Sequence, residues 1–139
     1  MNVIDRVNIR LKELLEYVKF LEGFKDIEVK KLETDLKTRG AIERYLQLAC
    51  EVVLDIANIL NAEYKLTPAK DSKDSILILG KKGVLDKKFS KEFSKIAGFR
   101  NILVHDYLEI DCGQVADKIN NRLGDFEKFV KAVAKFIGK

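Results

Sequence analysis

The run "SILILGKKGVL" (Ser75–Leu85) can be read as a strand or as a short helix, and the choice separates a mixed fold from an all-α one. Ile76, Leu77, Ile78 and Leu79 are four consecutive branched apolar residues, a pattern that suits a pleated surface as well as a short buried helix. A strand needs a partner to take up its backbone donors and acceptors, and no second segment of the chain offers itself. The run is therefore expected to form a short helix.

The flanking sequence supports that choice. "YKLTPAKDS" (Tyr64–Ser72) carries the only proline, Pro68, and an Asp-Ser pair, and reads as the main loop. On the other side Asp86 is placed to cap a helix through "KKFSKEFSKIAGFRNILVH" (Lys87–His105). Further out the periodicity is plainly helical. Ile4, Val7, Leu11, Leu14, Val18 and Leu21 step by three and four, with Gly23 as the stop. A long helix is expected from near Thr34 to Asn61, although Gly40 in its interior costs about 1 kcal/mol relative to alanine. The last helix opens at Asp111, which with Gln114 resembles a capping box, and runs through Val115, Ile119, Leu123, Phe126, Val130, Val133 and Ile137. Four long helices and one short, joined by brief connections, imply an all-α, mostly antiparallel four-helix bundle with an additional short helix.

The chain has 139 residues, within the usual size of one domain, so residues 1–139 are expected to form a single unit. Its formal net charge is +4 and the signs alternate, which tolerates a polyanionic partner without demanding one. Cys50 and Cys112 belong to no C-x-x-C pattern, and Cys50 lies in an apolar helical run, so a buried free thiol is expected rather than a bridge or ligand. That fits a reducing, cytoplasmic setting. The N-terminus is charged from Asp5 onward, and nothing approaches the roughly 18 consecutive apolar residues of a membrane span, so neither export nor membrane insertion is expected.

Two features break the bundle pattern. In "LQLACEVVLDIANIL" (Leu46–Leu60), apolar on nearly every side, Gln47, Glu51, Asp55 and Asn58 form one narrow polar line that must face solvent or a cleft. In the fourth helix the inward rhythm Phe89, Phe93, Ile96, Leu103 is completed by Arg100, a guanidinium where a leucine belongs. Left unpaired in the core it would cost several kcal/mol, so it must meet an acid, snorkel outward or line an opening. Glu51 and Asp55 are the candidate partners.

The only histidine, His105, stands five residues after Arg100, about 140° around an ideal helix. Either the helix frays there, letting the arginine curl round, or a second copy completes the pair by packing on the small-residue stripe Ser94, Gly98, Asn101 and His105. Spacing alone does not separate a catalytic pair from a helix-terminal histidine favoured by the helix dipole. Other chemistries fit less well. One histidine and two scattered cysteines do not readily supply a zinc site, and "ILGKKGVL" lacks the spacing of a phosphate loop. Neither thiol is independently placed beside His105 as a nucleophile would be.

"RNILVHDY" (Arg100–Tyr107) resembles the R-x(4–6)-H signature of the HEPN superfamily. In its R-N-x-x-x-H-x-Y form it is similar to the HepT-like branch, the toxin half of HEPN/MNT toxin–antitoxin pairs. "RGAIERYLQLACEVVLDIANIL" (Arg39–Leu60) resembles that branch's long second helix. The resemblance implies a metal-independent endoribonuclease without a cofactor, a homodimer whose two motifs line one cleft, and RNA as substrate. It implies Arg100 and His105 as catalytic residues and Asn101 in a supporting role. Tyr107 would be the residue to which a minimal nucleotidyltransferase antitoxin attaches AMP. Two rivals remain: a non-catalytic module that binds nucleotide or RNA or docks a nucleotidyltransferase, and a purely structural dimer in which Arg100 is an internal ion pair.

Overall fold

Apolar residues three and four apart wind twenty residues into α1 (Val3–Glu22), which buries Val7, Leu11, Leu14, Val18 and Leu21. The Asn2 side chain opens it by accepting the Asp5 N–H at 2.8 Å. Gly23 ends it, but in the right-handed region (φ −63°); the left-handed residue of this turn is Asp26 (φ 71°). In this computed structural model residues 1–138 are described, the side chain of Tyr107 excepted.

No helix is expected from the sequence between Gly23 and Thr34, yet a six-residue helix, α2 (Val29–Thr34), precedes the long α3 (Leu36–Glu63). Asp35 separates them. Its carboxylate accepts the backbone N–H of Thr38 at 3.1 Å and the Thr38 hydroxyl at 2.9 Å, and Lys31 approaches to 3.0 Å. The Lys31 ammonium foremost, then the two Thr38 donors, hold this carboxyl at about 2. A side chain that satisfies the first free donors of α3 also stops α2 from running on.

α3 is the central column, packed on α1, α2, α4 and α6. By length and composition it is also apolar enough to cross a membrane; here it is a core helix, with Ile42, Leu46, Ala49, Val53, Ile56 and Leu60 almost wholly buried.

The ambiguous run is helical. α4 (Ser72–Lys81) starts at an Asp71 cap and ends before Gly83, whose φ of 81° turns the chain so that Val84 and Leu85 bury in the connection. Gly80 is required by a close approach: a Cβ there would lie 2.7 Å from the Cβ of Ser90 on α5.

The expected helix after Asp86 forms as two pieces, α5 (Lys87–Phe93) and α6 (Ile96–His105). Ser94 and Lys95 between them keep right-handed helical dihedrals, so the chain passes from one to the other without reversing. A 3₁₀ turn (Tyr107–Glu109) leads to α7 (Cys112–Asp117), a π-helical turn (Lys118–Arg122) and α8 (Leu123–Ile137). Asp111 does cap α7, through the Gly113 N–H at 2.7 Å, while no return bond from Gln114 closes the box among the described residues.

The π turn re-aims Asn120, whose side chain accepts the Asp26 N–H (2.7 Å) and donates to the Ile27 carbonyl (3.0 Å). It thereby ties the α1–α2 turn to the last helix. The fold is all-α, with α1, α3, α5–α6 and α7–α8 as its four long members, α4 as the anticipated short helix and α2 as the unanticipated one.

Candidate active site

α3 is wrapped on most of its circumference, so its polar line can open only where neighbouring helices leave a gap. Gln47 and Glu51 are half-buried, while Asp55 and Asn58 are exposed. Glu51, Asp55 and Asn58 border a groove of about 440 Å³ between α1, α3 and α6, which Arg10 and Glu13 also line.

Arg100 closes this groove from α6. Its Nη2 donates to Glu51 Oε2 at 2.9 Å, and Gln47 donates to the other carboxylate oxygen at 3.3 Å. Arg100 Nη1 reaches Asn101 Oδ1 at 3.3 Å, whereas its Nε is buried without a hydrogen-bond partner among the described residues. Of the two acids considered, Glu51 is thus the one that pairs. The out-of-rhythm arginine both meets an acid and lines an opening.

This ion pair is only partly shielded. The side chains of Arg100 and Glu51 keep 29% and 32% of their exposure. Pairs this wet are worth at most about 1 kcal/mol, because water screens the attraction and two long side chains lose freedom. A phosphate entering the groove can therefore compete with Glu51 for the guanidinium at small cost, and bidentate contact with phosphate oxygens is the stronger arrangement.

His105 is the last residue of α6, and the chain leaves the helix at Asp106 (φ −122°, ψ 42°). The imidazole is exposed, has no hydrogen-bond partner among the described residues and does not line the Arg100 groove. Arg100 does not curl toward it; the guanidinium is held on the α3 side by Glu51. Asn101 likewise faces Arg100, although one helical turn separates it from His105. The side chain of Tyr107 lies outside the described residues.

The small-residue stripe is open only in part. Ser94 is fully buried, with its hydroxyl donating to the Lys91 carbonyl at 2.8 Å. From Gly98 onward the face is free: nothing lies within 4 Å of a Cβ placed there, and Asn101 and His105 are exposed. Just beyond, Leu108 is 87% exposed.

Cys50 and Cys112 are buried and unbridged, and burial pushes the Cys50 thiol up to about 12, where it has no nucleophilic use at neutral pH. The residues missed by sequence reasoning are Gln47 as a second hold on Glu51 and Asn120 as a loop clamp. The step of four from Gln47 to Glu51 carried the first signal; a π turn has no comparable one.

A model of the family described as Ribonuclease HepT-like matches residues 14–133. The chain is 32% identical over 99 residues, 71% of its length and 74% of the other's, to a protein of Shewanella oneidensis named mRNA nuclease HepT. It is 25% identical over 131 residues, 94% of its length and 89% of the other's, to the tRNA nuclease HepT of Aphanizomenon flos-aquae. Among solved structures it is similar to a toxin–antitoxin complex with AMP-PNP (TM-score 0.81, 25% identity, 97% and 99% of the two chains). It is also similar to the tri-AMPylated HEPN toxin of Shewanella oneidensis in complex with its MNT antitoxin (TM-score 0.79, 27% identity, 97% and 99%).

Proposed function

Because this chain belongs to the ribonuclease HepT-like family, we propose that it is an endoribonuclease toxin, acting without a metal ion as one HEPN-like unit spanning residues 1–139. Its active site would form where two copies bring their R-x4-H motifs together. The observation that carries the reading is Arg100: a guanidinium in the wall of an open polar groove, held by a weak, partly exposed ion pair, on the same short helix that ends in the only histidine. The relatives named as mRNA and tRNA nucleases support it.

RNA carries its own nucleophile. The 2′-hydroxyl attacks the adjacent phosphorus while the 5′-oxygen of the next nucleotide leaves, giving a 2′,3′-cyclic phosphate and a 5′-hydroxyl. The protein must take one proton, supply another and neutralise charge on the phosphate. An imidazole serves either proton transfer, and such positioned transfer is typically worth about 10²- to 10⁴-fold. Arg100, released from Glu51, grips the phosphate, and Asn101 beside it steadies the guanidinium or the phosphate oxygens.

One chain has a single histidine, directed away from its own arginine. A second copy related by a two-fold axis supplies the other imidazole, so that one acts as base and one as acid. The two copies meet at the His105 end of α6, where Leu108 offers apolar surface.

The solved relatives are complexes with an antitoxin, one of them AMPylated. By the same reading a nucleotidyltransferase neutralises this chain by attaching AMP to Tyr107, placing bulk and negative charge beside the phosphate site. The second reading, a module that binds RNA or nucleotide or docks the nucleotidyltransferase without cutting, is favoured by the separation of Arg100 from His105 within one chain. Incubation with RNA in EDTA decides: cleavage that survives the chelator and vanishes in His105→Ala supports the nuclease, and tight binding without products supports the module.

A further inference from the structure

Charge along this chain is mixed except in two places, the C-terminal run from Lys128, which has four lysines and no acid, and a segment that leads into the Arg100–His105 helix. Between Lys81 and Lys95 stand six lysines (81, 82, 87, 88, 91 and 95) against Asp86 and Glu92, an excess equal to the formal +4 of the entire protein. Both acids are already engaged. Asp86 caps α5 by accepting the Phe89 N–H at 3.0 Å, and Glu92 lies 3.3 Å from Lys95 and 3.6 Å from Arg122. All six lysines are exposed, and five of them have no acid within 4.0 Å among the described residues.

Three of the lysines are in phase with the Arg100–His105 helix. Lys88, Lys91, Lys95, Gly98, Ile102 and His105 follow one another in steps of three and four along α5 and α6, so they share one face of a nearly continuous helical path. Except for half-buried Ile102, each of these positions is exposed, and Gly98 has empty space where a side chain would stand. At Gly98 the path runs beside an open groove of about 490 Å³ bordered by Lys95 and Lys118. The groove also holds Asp111 and Asp117, whose carboxylates take the Gly113 N–H and the Asn121 amide. From Lys88 to His105 the helical rise amounts to about 25 Å.

We propose that this stripe is a docking track for the backbone of single-stranded RNA, which Lys88, Lys91 and Lys95 hold by phosphate contacts and which passes over Gly98 to reach His105. The proposal rests on the nuclease reading for its destination, but the track has its own chemistry. A row of exposed ammonium groups, of which only Lys95 has an acid within 4.0 Å among the described residues, binds successive phosphates with no base preference. An anionic membrane is a poorer fit, since none of the strongly exposed large apolar side chains lies between residues 81 and 95 to insert into lipid.

The test uses Lys88→Gln/Lys91→Gln/Lys95→Gln in a His105→Ala background, so that binding is read without cleavage. Dissociation constants for a long single-stranded RNA are measured across salt concentrations. The expected result is weaker binding with a log–log salt slope reduced by about 2, since each phosphate contact in a single strand contributes about 0.7. With His105 intact, the triple variant should cut long RNA at least about tenfold more slowly and a dinucleotide at the unaltered rate. An unchanged affinity and slope overturns the track, as does an equal loss on the dinucleotide. So does binding lost only for anionic lipid vesicles or for the nucleotidyltransferase. If the parent protein cuts nothing while the slope still falls, the nuclease reading fails and the track stands.

Discussion

Arg100 is where the account is most exposed to test, because one guanidinium is asked to be weakly tied in the free protein and tightly engaged on the substrate. Arg100→Ala should shift stability by no more than about 1 kcal/mol, since its partner Glu51 is left one-third exposed and not stranded in the core. A purely structural arginine would give a substantial drop in the same thermal melt. Arg100→Lys, which keeps the charge and loses the planar fork, should lower cleavage about 10²- to 10³-fold at unchanged melting temperature. Asp35 titrates through its contacts with Lys31 and Thr38. Its folded pKa of about 2 lies below the ordinary 3.8, so its cap is fully formed above the ordinary value and is lost as pH falls through the folded one. Asp35→Asn should therefore melt below the parent at pH 7 and converge with it near pH 2. At this scale the sequence was informative where a residue broke a rhythm: Arg100 among apolar positions of one helix, and Glu51 in the polar line of another. It was silent on which way Asn101 turns, because an exposed amide follows whichever neighbour is nearer.

Among elements, glycine marks the difference between a backbone that must come close and one that merely tolerates the absence of a side chain. At Gly80 an added methyl meets Ser90, so Gly80→Ala should destabilise by about 1–3 kcal/mol through forced separation of α4 and α5. At Gly40 nothing stands within 4 Å, and Gly40→Ala should stabilise α3 by about 1 kcal/mol, raising the melting temperature by about 3 °C. Asn120→Ala removes both bonds to the α1–α2 turn and should cost about 1–3 kcal/mol in denaturant unfolding. The long helices were legible because burial imposes its period on the sequence. Helix α2 and the π turn were not: six residues give too short a period, and one inserted residue in a π turn leaves the apolar spacing of Ile119, Leu123 and Phe126 almost unaltered. The strand-like run at Ser75–Leu85 was settled by what the rest of the chain lacked, a second strand, and not by its own residues.

For the whole molecule, the question is whether one chain suffices. Each copy presents Arg100 to the groove beside α3 and His105 to solvent at the end of α6, and in-line transfer on RNA asks for a base and an acid together. The family was recognisable from eight residues, whereas the case for a second copy rests on the two side chains lying on different faces of their helix. The direct measurement is RNA cleavage in the presence of chelator by parent and His105→Ala chains allowed to exchange subunits at varied ratios. If two imidazoles work in one cleft, activity should fall as the square of the parent fraction, to about one quarter at equal mixing. A linear fall, or cleavage that persists with no parent chain present, would contradict it.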